Sequence, residues 1–394
     1  MKDTLKKIAL ELKLSRLLVK DANPIDVLFN HGVMLLKQER YEDALEILNE
    51  TLLYAELPEI HSNLAYANSR LHNYDIAVWH YRQSLKLRPN HPHTSNDLSL
   101  ELLRLGQYKE GWELFEYRNF FENEFSDRYV KGRIKLWGGE NIAGRRIFIS
   151  KEQGFGDSIQ FIRYLLVLCR KAAHVTWYCE PALLELFKHS FALPNVTFVD
   201  RVDQIDPHDY WLYQMSLPRI VEGIDWPYLA APYTLDIQLP AGVKVGLVWK
   251  GSPRHTNDAN RSMRLEQFNC LPKHITYISL QKLNNDPFEV SRSTLNILEP
   301  LTKEGDFDET AKIIKQLDLV ITIDSAVAHL AGALGVPCWV ILPYHGSDWR
   351  WGVYGSKTTH LYNNMELFWK TGVKPESVTT TIAEQLAYYV TTLP

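Results

Sequence analysis

The chain is poor in several features, and each scarcity excludes a class of protein. Its 394 residues hold only 4 cysteines, Cys169, Cys179, Cys270 and Cys338, and no two form a CxxC pair. A metal knuckle and a disulfide framework are therefore excluded, and a chain of this size folds without such staples. The thiols are expected to be reduced and the protein cytoplasmic. Positive charge is not in excess either: 43 Lys and Arg stand against 47 Asp and Glu, a formal charge of −4. No basic field exists to hold a nucleic-acid backbone, so nucleic acid is not an expected partner. With 20 Gly and 19 Pro, the composition is neither collagenous nor of low complexity. Long apolar runs are missing too. The longest, residues 330–344, is broken by Gly332, Gly335 and Pro337 and is shorter than the ~20 residues that span a bilayer. Residues 1–21 mix Lys2, Lys6, Lys7, Glu11, Lys13 and Arg16 with leucines, which reads as an amphipathic helix and not as the apolar core of a signal peptide.

What is present is globular material, 45% hydrophobic and 23% charged, long enough for two or three domains. Tyr41-Glu42-Asp43-Ala44, Tyr74-Asp75-Ile76-Ala77 and Tyr108-Lys109-Glu110-Gly111 recur at spacings of 33 and 34 residues. Such periods mark stacked helical pairs, each unable to bury its own apolar face. Gly32, Ala65 and Ser99 stand 12 residues before the small residue of each unit, where paired helices approach closely, and Pro89 closes the second unit. This pattern resembles the tetratricopeptide repeat over residues 22–125, with a degenerate third unit. Asn30, Asn63 and Asp97 recur once per unit, 2 residues before those small positions. In some arrays of this kind, asparagines at the matching position hold a peptide main chain, for which a carboxamide is suited because it donates and accepts. A solvated polar face accounts for them equally well.

From about residue 145 the texture changes to short β-branched runs alternating with helical patterns. Strands are expected at 146–150, 175–178, 196–199 and 210–213, then, after a proline-containing link at 229–240, at 243–249, 275–280, 319–323 and 338–342. Alternation of this kind implies two parallel-sheet halves, 140–236 and 240–370, followed by a C-terminal helix over 371–394. Chemistry is then sought beyond the carboxyl ends of strands. The first strand runs into Glu152-Gln153-Gly154-Phe155-Gly156-Asp157-Ser158-Ile159-Gln160. Gly154 and Gly156 permit a tight turn, and Asp157 with Gln160 makes a capping box; the dinucleotide pattern GxGxxG is incomplete, because Ile159 stands where its third glycine belongs. The second half opens with Lys250, Arg254, Arg261 and Arg264, 4 cations within 15 residues. That is the composition of an anion clamp, or else of a solvated basic loop. The strand at 319–323 leads into Asp324-Ser325-Ala326-Val327-Ala328-His329. Ser325 is a natural N-cap, the amides after it form a site for a diphosphate, and His329 lies on the same helical face; a satisfied core histidine is the alternative. Asp306-Phe307-Asp308 spells a DxD metal motif, but it precedes a helical pattern in which Glu309 completes a capping box.

Segments 152–160, 245–264, 279–282, 306–310, 324–335 and 348–351 together resemble the heptosyltransferase-like glycosyltransferases of family 9. More closely, the chain is similar to bacterial proteins in which tetratricopeptide repeats precede such a domain. The resemblance implies a fold of class α + α/β: helical repeats, then a GT-B fold of two Rossmann-like domains. It further implies inverting transfer from a nucleotide-sugar, with no metal and no other cofactor. The family's general base falls on Asp157, and its contacts to donor nucleotide and diphosphate fall on Asp324, Ser325, Ala326 and His329. The phosphate-neutralising residue falls on Arg261, with Lys250 and Arg254 as further candidates and Gln281 in the same donor set. Ala326 replaces the family's usual glycine, so the donor sugar is not carried over from heptose. The first half is short for an acceptor domain, so the repeats are expected to supply acceptor recognition, with a protein as partner. A cell-surface saccharide or lipid-linked glycan is the alternative acceptor, and a non-catalytic peptide-binding scaffold is the alternative of another class. The segment Asp348-Trp349-Arg350-Trp351 either stacks on the donor base or packs between domains.

Overall fold

The computed structural model describes residues 23–120, 133–202, 207–222, 226–231, 238–281, 288–302, 306–372 and 377–393. The helix expected over 1–21 lies outside them. The chain divides into two compact units, one formed by residues up to Glu122 together with Asp348–Tyr354, the other by Asn123–Ser347 and Gly355–Pro394.

In the first unit six helices form three antiparallel pairs: α1 (Pro24–Lys37) with α2 (Tyr41–Leu52), α3 (Pro58–Arg70) with α4 (Tyr74–Leu87), and α5 (Pro92–Arg104) with α6 (Tyr108–Phe115). Each pair starts with proline at the first helical position, where the missing N–H costs nothing. Each second helix starts at the repeated tyrosine. The turn between them carries one left-handed residue in every unit: Glu39 (φ 58°), His72 (φ 66°) and Gly106 (φ 76°). Leu28, Leu48, Ile60, Leu64 and Leu102 are wholly buried, each worth about 1.5–3 kcal/mol relative to exposure. Gly32 is small for a packing reason: a Cβ there would lie 2.7 Å from Leu48 Cδ2. Segment 348–354 belongs to this unit. Trp349 meets the Trp112 ring edge-on at 5.3 Å, Tyr354 stacks on His72 at 4.2 Å, and Arg104 donates to the carbonyls of Asp348 and Gly352. Trp349 and Trp351 are buried, so packing, not stacking on a ligand, accounts for both tryptophans.

The second unit contains two parallel sheets. The first has five strands, β1 (Lys135–Leu136), β2 (Arg146–Ser150), β3 (His174–Tyr178), β4 (Val196–Val199) and β5 (Tyr210–Tyr213), in the order β1-β5-β2-β3-β4. Helices α7 (Phe155–Phe161), α8 (Leu165–Cys169) and α9 (Pro181–Ser190) connect them. The second has six, β6 (Lys244–Val248), β7 (Thr276–Ser279), β8 (Ile297–Leu298), β9 (Leu319–Ile323), β10 (Cys338–Leu342) and β11 (Met365–Trp369), ordered β11-β10-β9-β6-β7-β8. Its helices are α10 (Asp258–Arg261), α11 (Glu289–Arg292), α12 (Phe307–Ile314) and α13 (Ala326–Leu334), and α14 (Ser377–Thr392) follows β11. β9 and β10 are buried at every position, as a strand covered on both faces must be. Strands β1, β8 and β11 are not foreshadowed by the sequence. The first two are 2 residues long, and β11, Met-Glu-Leu-Phe-Trp, has no β-branched residue.

Candidate active site

Strand order reverses once in each sheet, and ligands of open α/β sheets bind at such switch points. In the first sheet the reversal lies between β2 and β5, and β2 ends in the Gly154–Gly156 turn. In the second it lies between β6 and β9, which are followed by Lys250 and by Asp324-Ser325. The motifs singled out in both halves thus fall at the two positions where topology opens a crevice.

Asp157 is not an N-cap. Gly154 holds that position, α7 begins one residue later at Phe155, and Asp157 sits at the third helical position, its carboxylate accepting from the Gly154 N–H at 2.9 Å. Gly156 is set by contact between the halves: a Cβ there would lie 2.9 Å from Cδ2 of His329 and 3.6 Å from Cα of Ala326. The first turn of α7 therefore lies directly on the first turn of α13. Two further carboxylates stand near this turn. Glu152 is wholly buried and accepts from the Met215 N–H at 2.9 Å, a structural role. Glu180, after β3, is buried with neither oxygen in a well-formed hydrogen bond among the described residues, and Lys151 is its ion-pair partner at 3.6 Å. Burial raises its carboxyl above the usual range, and Lys151, the residue's own backbone N–H and the Ser158 hydroxyl oppose the rise only in part.

In α13 the cap differs from expectation. Ser325 occupies the N-cap, but its hydroxyl meets Thr322 Oγ1 at 3.0 Å in place of a helix amide. His329 is 6% exposed, with Nδ1 3.0 Å from the Tyr362 hydroxyl. Asp324 offers its backbone carbonyl to Arg261 Nη1 at 3.1 Å. Arg261 also donates to Asp258 and to the Ser252 carbonyl, and a Cβ on Gly251 would run into its guanidinium. Three of its five N–H groups are thus committed to protein acceptors. Lys250 pairs with buried Glu289 at 2.7 Å. Gln281 uses its side-chain oxygen to accept the N–H groups of Trp249 and Lys250 at the end of β6. Arg254 is exposed and makes no ion pair among the described residues. Lys282, the last residue of segment 279–282, lies outside them. Lys370 donates to the carbonyls of Asn260, Arg261 and Ser262, closing the last turn of α10; burial lowers its ammonium to about 8.

The DxD-like pair is engaged elsewhere. Asp306 caps α12 through the N–H groups of Asp308 and Glu309, while Asp308 binds His189 at 2.9 Å and Lys312 at 2.9 Å. Glu309 does not complete the box; its carboxylate reaches back to Thr302. Among the described residues no group of three or more His, Cys, Asp or Glu side chains is placed to hold a metal. In the first unit, Asn30, Asn63 and Asp97 lie on the first helices of the three pairs. Asn30 is exposed and the other two half-buried. Burial pushes the Asp97 carboxyl up to about 6, with Glu101 adding to the rise and Arg70 opposing it.

Helical repeats joined to two parallel Rossmann-like sheets, with the candidate turns at both switch points, define a class: repeat proteins carrying a GT-B-like fold. Residues 296–371 match the family model described as glycosyltransferase family 9 (heptosyltransferase), a stretch that includes Asp324 through His329. The chain is also similar to Protein FlbA of Caulobacter vibrioides (strain ATCC 19089 / CIP 103742 / CB 15), 26% identical over 281 residues. That likeness covers 61% of this chain and 46% of the relative, so the chain spans about half the relative's length. Similar solved structures include a MamA RS-1 ArsTM double mutant, 29% identical over 24% of this chain and 55% of that one, with a TM-score of 0.24. PilF of Pseudomonas aeruginosa is 24% identical over 27% of this chain and 50% of that one, with a TM-score of 0.25. Among the described residues no helix is long and apolar enough to cross a membrane.

Glu180, Tyr362 and Lys370 belong to none of the sequence motifs. Glu180 carried a signal, being an acidic residue two positions past a predicted strand; the other two are brought in by tertiary packing and carried none.

Proposed function

We propose that the chain is an inverting, metal-independent glycosyltransferase that moves a sugar from a nucleotide-sugar to a protein docked on the helical repeats. The match of residues 296–371 to glycosyltransferase family 9 carries the reading. An acceptor hydroxyl is a weak nucleophile until a base takes its proton, and inversion needs that base opposite the leaving group. Asp157 is the carboxylate for this step. The acceptor oxygen bonds to the anomeric carbon as the bond to the phosphate oxygen breaks, and the proton passes to Asp157. The nucleoside diphosphate that leaves gathers negative charge, which the amides of the first turn of α13, His329, Arg261, Lys250 and Arg254 would stabilise. Asp324, Ser325, Ala326 and Gln281 complete the donor side, and Asn30, Asn63 and Asp97 are the groove residues for the acceptor. Engagement of Asp306 and Asp308 by other groups of the chain supports a site that works without a divalent ion. Free thiols at all four cysteines fit a cytoplasmic protein that uses a nucleotide-sugar. Replacing Asp157 by Asn is expected to abolish transfer while leaving nucleoside diphosphate binding within a few-fold; full transfer in that variant refutes the assignment of the base.

One observation favours a second acceptor. Glu180, a buried carboxylate whose cation Lys151 stands 3.6 Å away, suits a partner rich in hydroxyl groups, as a saccharide is. Alanine at Asn30, Asn63 and Asp97 together separates the two readings, since a protein acceptor should react more slowly and a saccharide unchanged. Calorimetry against ADP, UDP, GDP and CDP bears on both, because silence from all four favours a scaffold without turnover.

A further inference from the structure

His329 does not stand alone beneath Gly156. Its Nδ1 lies 3.0 Å from the hydroxyl of Tyr362, which lies 3.3 Å from the hydroxyl of Tyr228. Tyr228 in turn donates to the carbonyl of Ile159, in α7, at 3.0 Å and accepts from Arg163 Nη2 at 3.2 Å. The Arg163 guanidinium covers both phenol rings, 4.8 Å from the centroid of Tyr228 and 4.9 Å from that of Tyr362. Arg163, Tyr228, His329 and Tyr362 are all buried.

The hydrogen bonds of this cluster determine where its protons lie. The Ile159 carbonyl has no hydrogen, so the Tyr228 proton is spent on it. The Tyr362 proton then has two candidate acceptors. One is the Tyr228 oxygen, at a distance long for an O–H···O bond and shared with the Arg163 guanidinium. The other is His329 Nδ1, which is closer and, as an imidazole nitrogen, a far stronger acceptor than a phenol oxygen. Burial holds Tyr362 protonated, so it remains a donor, and the guanidinium against its ring strengthens it in that role. An imidazole whose Nδ1 accepts must carry its hydrogen on Nε2. That nitrogen lies on the Gly156 side of the ring, since a Cβ at Gly156 would be 3.5 Å from it.

We propose that Tyr362 is a positioning residue that fixes His329 as a neutral imidazole with its proton on Nε2, so that His329 meets a donor phosphate oxygen as a hydrogen-bond donor and not as a base. The use of that N–H on a phosphate rests on the function proposed above; the location of the proton does not.

The test is nitrogen NMR of the full chain labelled with 15N-histidine at pH 7.5, the His329 signals being identified by their loss in His329→Gln. Nε2 bearing the proton and Nδ1 bare is the expected result, and in Tyr362→Phe the Nδ1-protonated form should appear or the Nδ1 signal move. A proton on Nδ1 in the parent protein overturns the proposal, and so does an unchanged His329 spectrum in Tyr362→Phe. Addition of ADP, UDP, GDP or CDP should shift the Nε2 signal with at least one of them. No shift with any of the four overturns the use of the N–H on a phosphate, and with it the donor reading, while leaving the proton assignment standing.

Discussion

Replacing Asp97 by Asn should stabilise the helical unit, and the gain should depend on pH in a defined way. Asp97 has an ordinary carboxyl value of 3.8 and is pushed up to about 6 in the fold, first by burial and then by Glu101. An acid whose value is raised by folding is easier to ionise unfolded than folded. The folded state therefore loses stability as pH climbs from about 4 to about 6, after which the loss is constant. A tenfold change in an ionisation constant corresponds to about 1.4 kcal/mol, so the ionised carboxylate costs up to about 3 kcal/mol at pH 7.5 and only about 0.5 kcal/mol at pH 4. Asparagine resembles the protonated acid in shape and charge, so the substitution should recover most of that difference. Hydrogen exchange read by mass spectrometry reports the opening free energy of the helices concerned, once corrected for the pH dependence of the chemical rate. Protection in α3, α4 and α5 should rise at pH 7.5 in the variant and converge with the parent protein near pH 4. An equal gain at both pH values, or a loss at pH 7.5, would refute the claim that an unfavourably placed charge is responsible.

Three further substitutions probe the packing directly. Gly32→Ala puts a methyl 2.7 Å from Leu48 Cδ2, and overpacking of this kind costs about 1–3 kcal/mol, so exchange in α1 and α2 should quicken. Glu39→Gly relieves a left-handed residue at φ 58° and should gain about 0.5–1 kcal/mol, part of the strain being offset by glycine's greater freedom when unfolded; thermal melts of the full chain would show a small rise, and a fall would count against strain at that turn. Gly156→Ala drives a methyl toward the His329 ring; transfer and nucleoside diphosphate binding should both drop at least tenfold with the far-ultraviolet spectrum preserved, and unaltered binding would show that the contact between α7 and α13 is dispensable.

The sequence made the periodic parts of the fold legible and left the non-periodic parts hidden. Tyr41, Tyr74 and Tyr108 mark the true starts of the second helices because a stacked array repeats its packing geometry. The prolines at positions 24, 58 and 92 repeat just as strictly, but no expectation was drawn from them. Strands β2, β4, β5, β9 and β10 coincide with the expected ranges, since their apolar runs are bounded by polar turns. β11 escaped because its partner β10 supplies the context that its own residues lack. Within the candidate site, residues in local motifs could be named from the chain, but what each touches could not. Arg261 and Lys250 read as cations open to a phosphate and are bound to Asp258 and Glu289. Asp157 read as a cap and sits at the third helical position. Tyr362 is brought to His329 from 33 residues away, by a route that no local pattern encodes.

The helical unit is not a contiguous stretch of chain, since it includes Asp348–Tyr354. A protein is made from its N-terminus at about 5–20 residues per second, so roughly 10–45 s separate synthesis of the last helix of the array from synthesis of the segment that completes it. During that interval the edge of Trp112 and the guanidinium of Arg104 have no Trp349 ring and no Asp348 or Gly352 carbonyl to meet. The unit translated ahead of the two sheets is thus finished only after most of their strands have been made, and its final packing step waits on a segment that follows β10 in the chain.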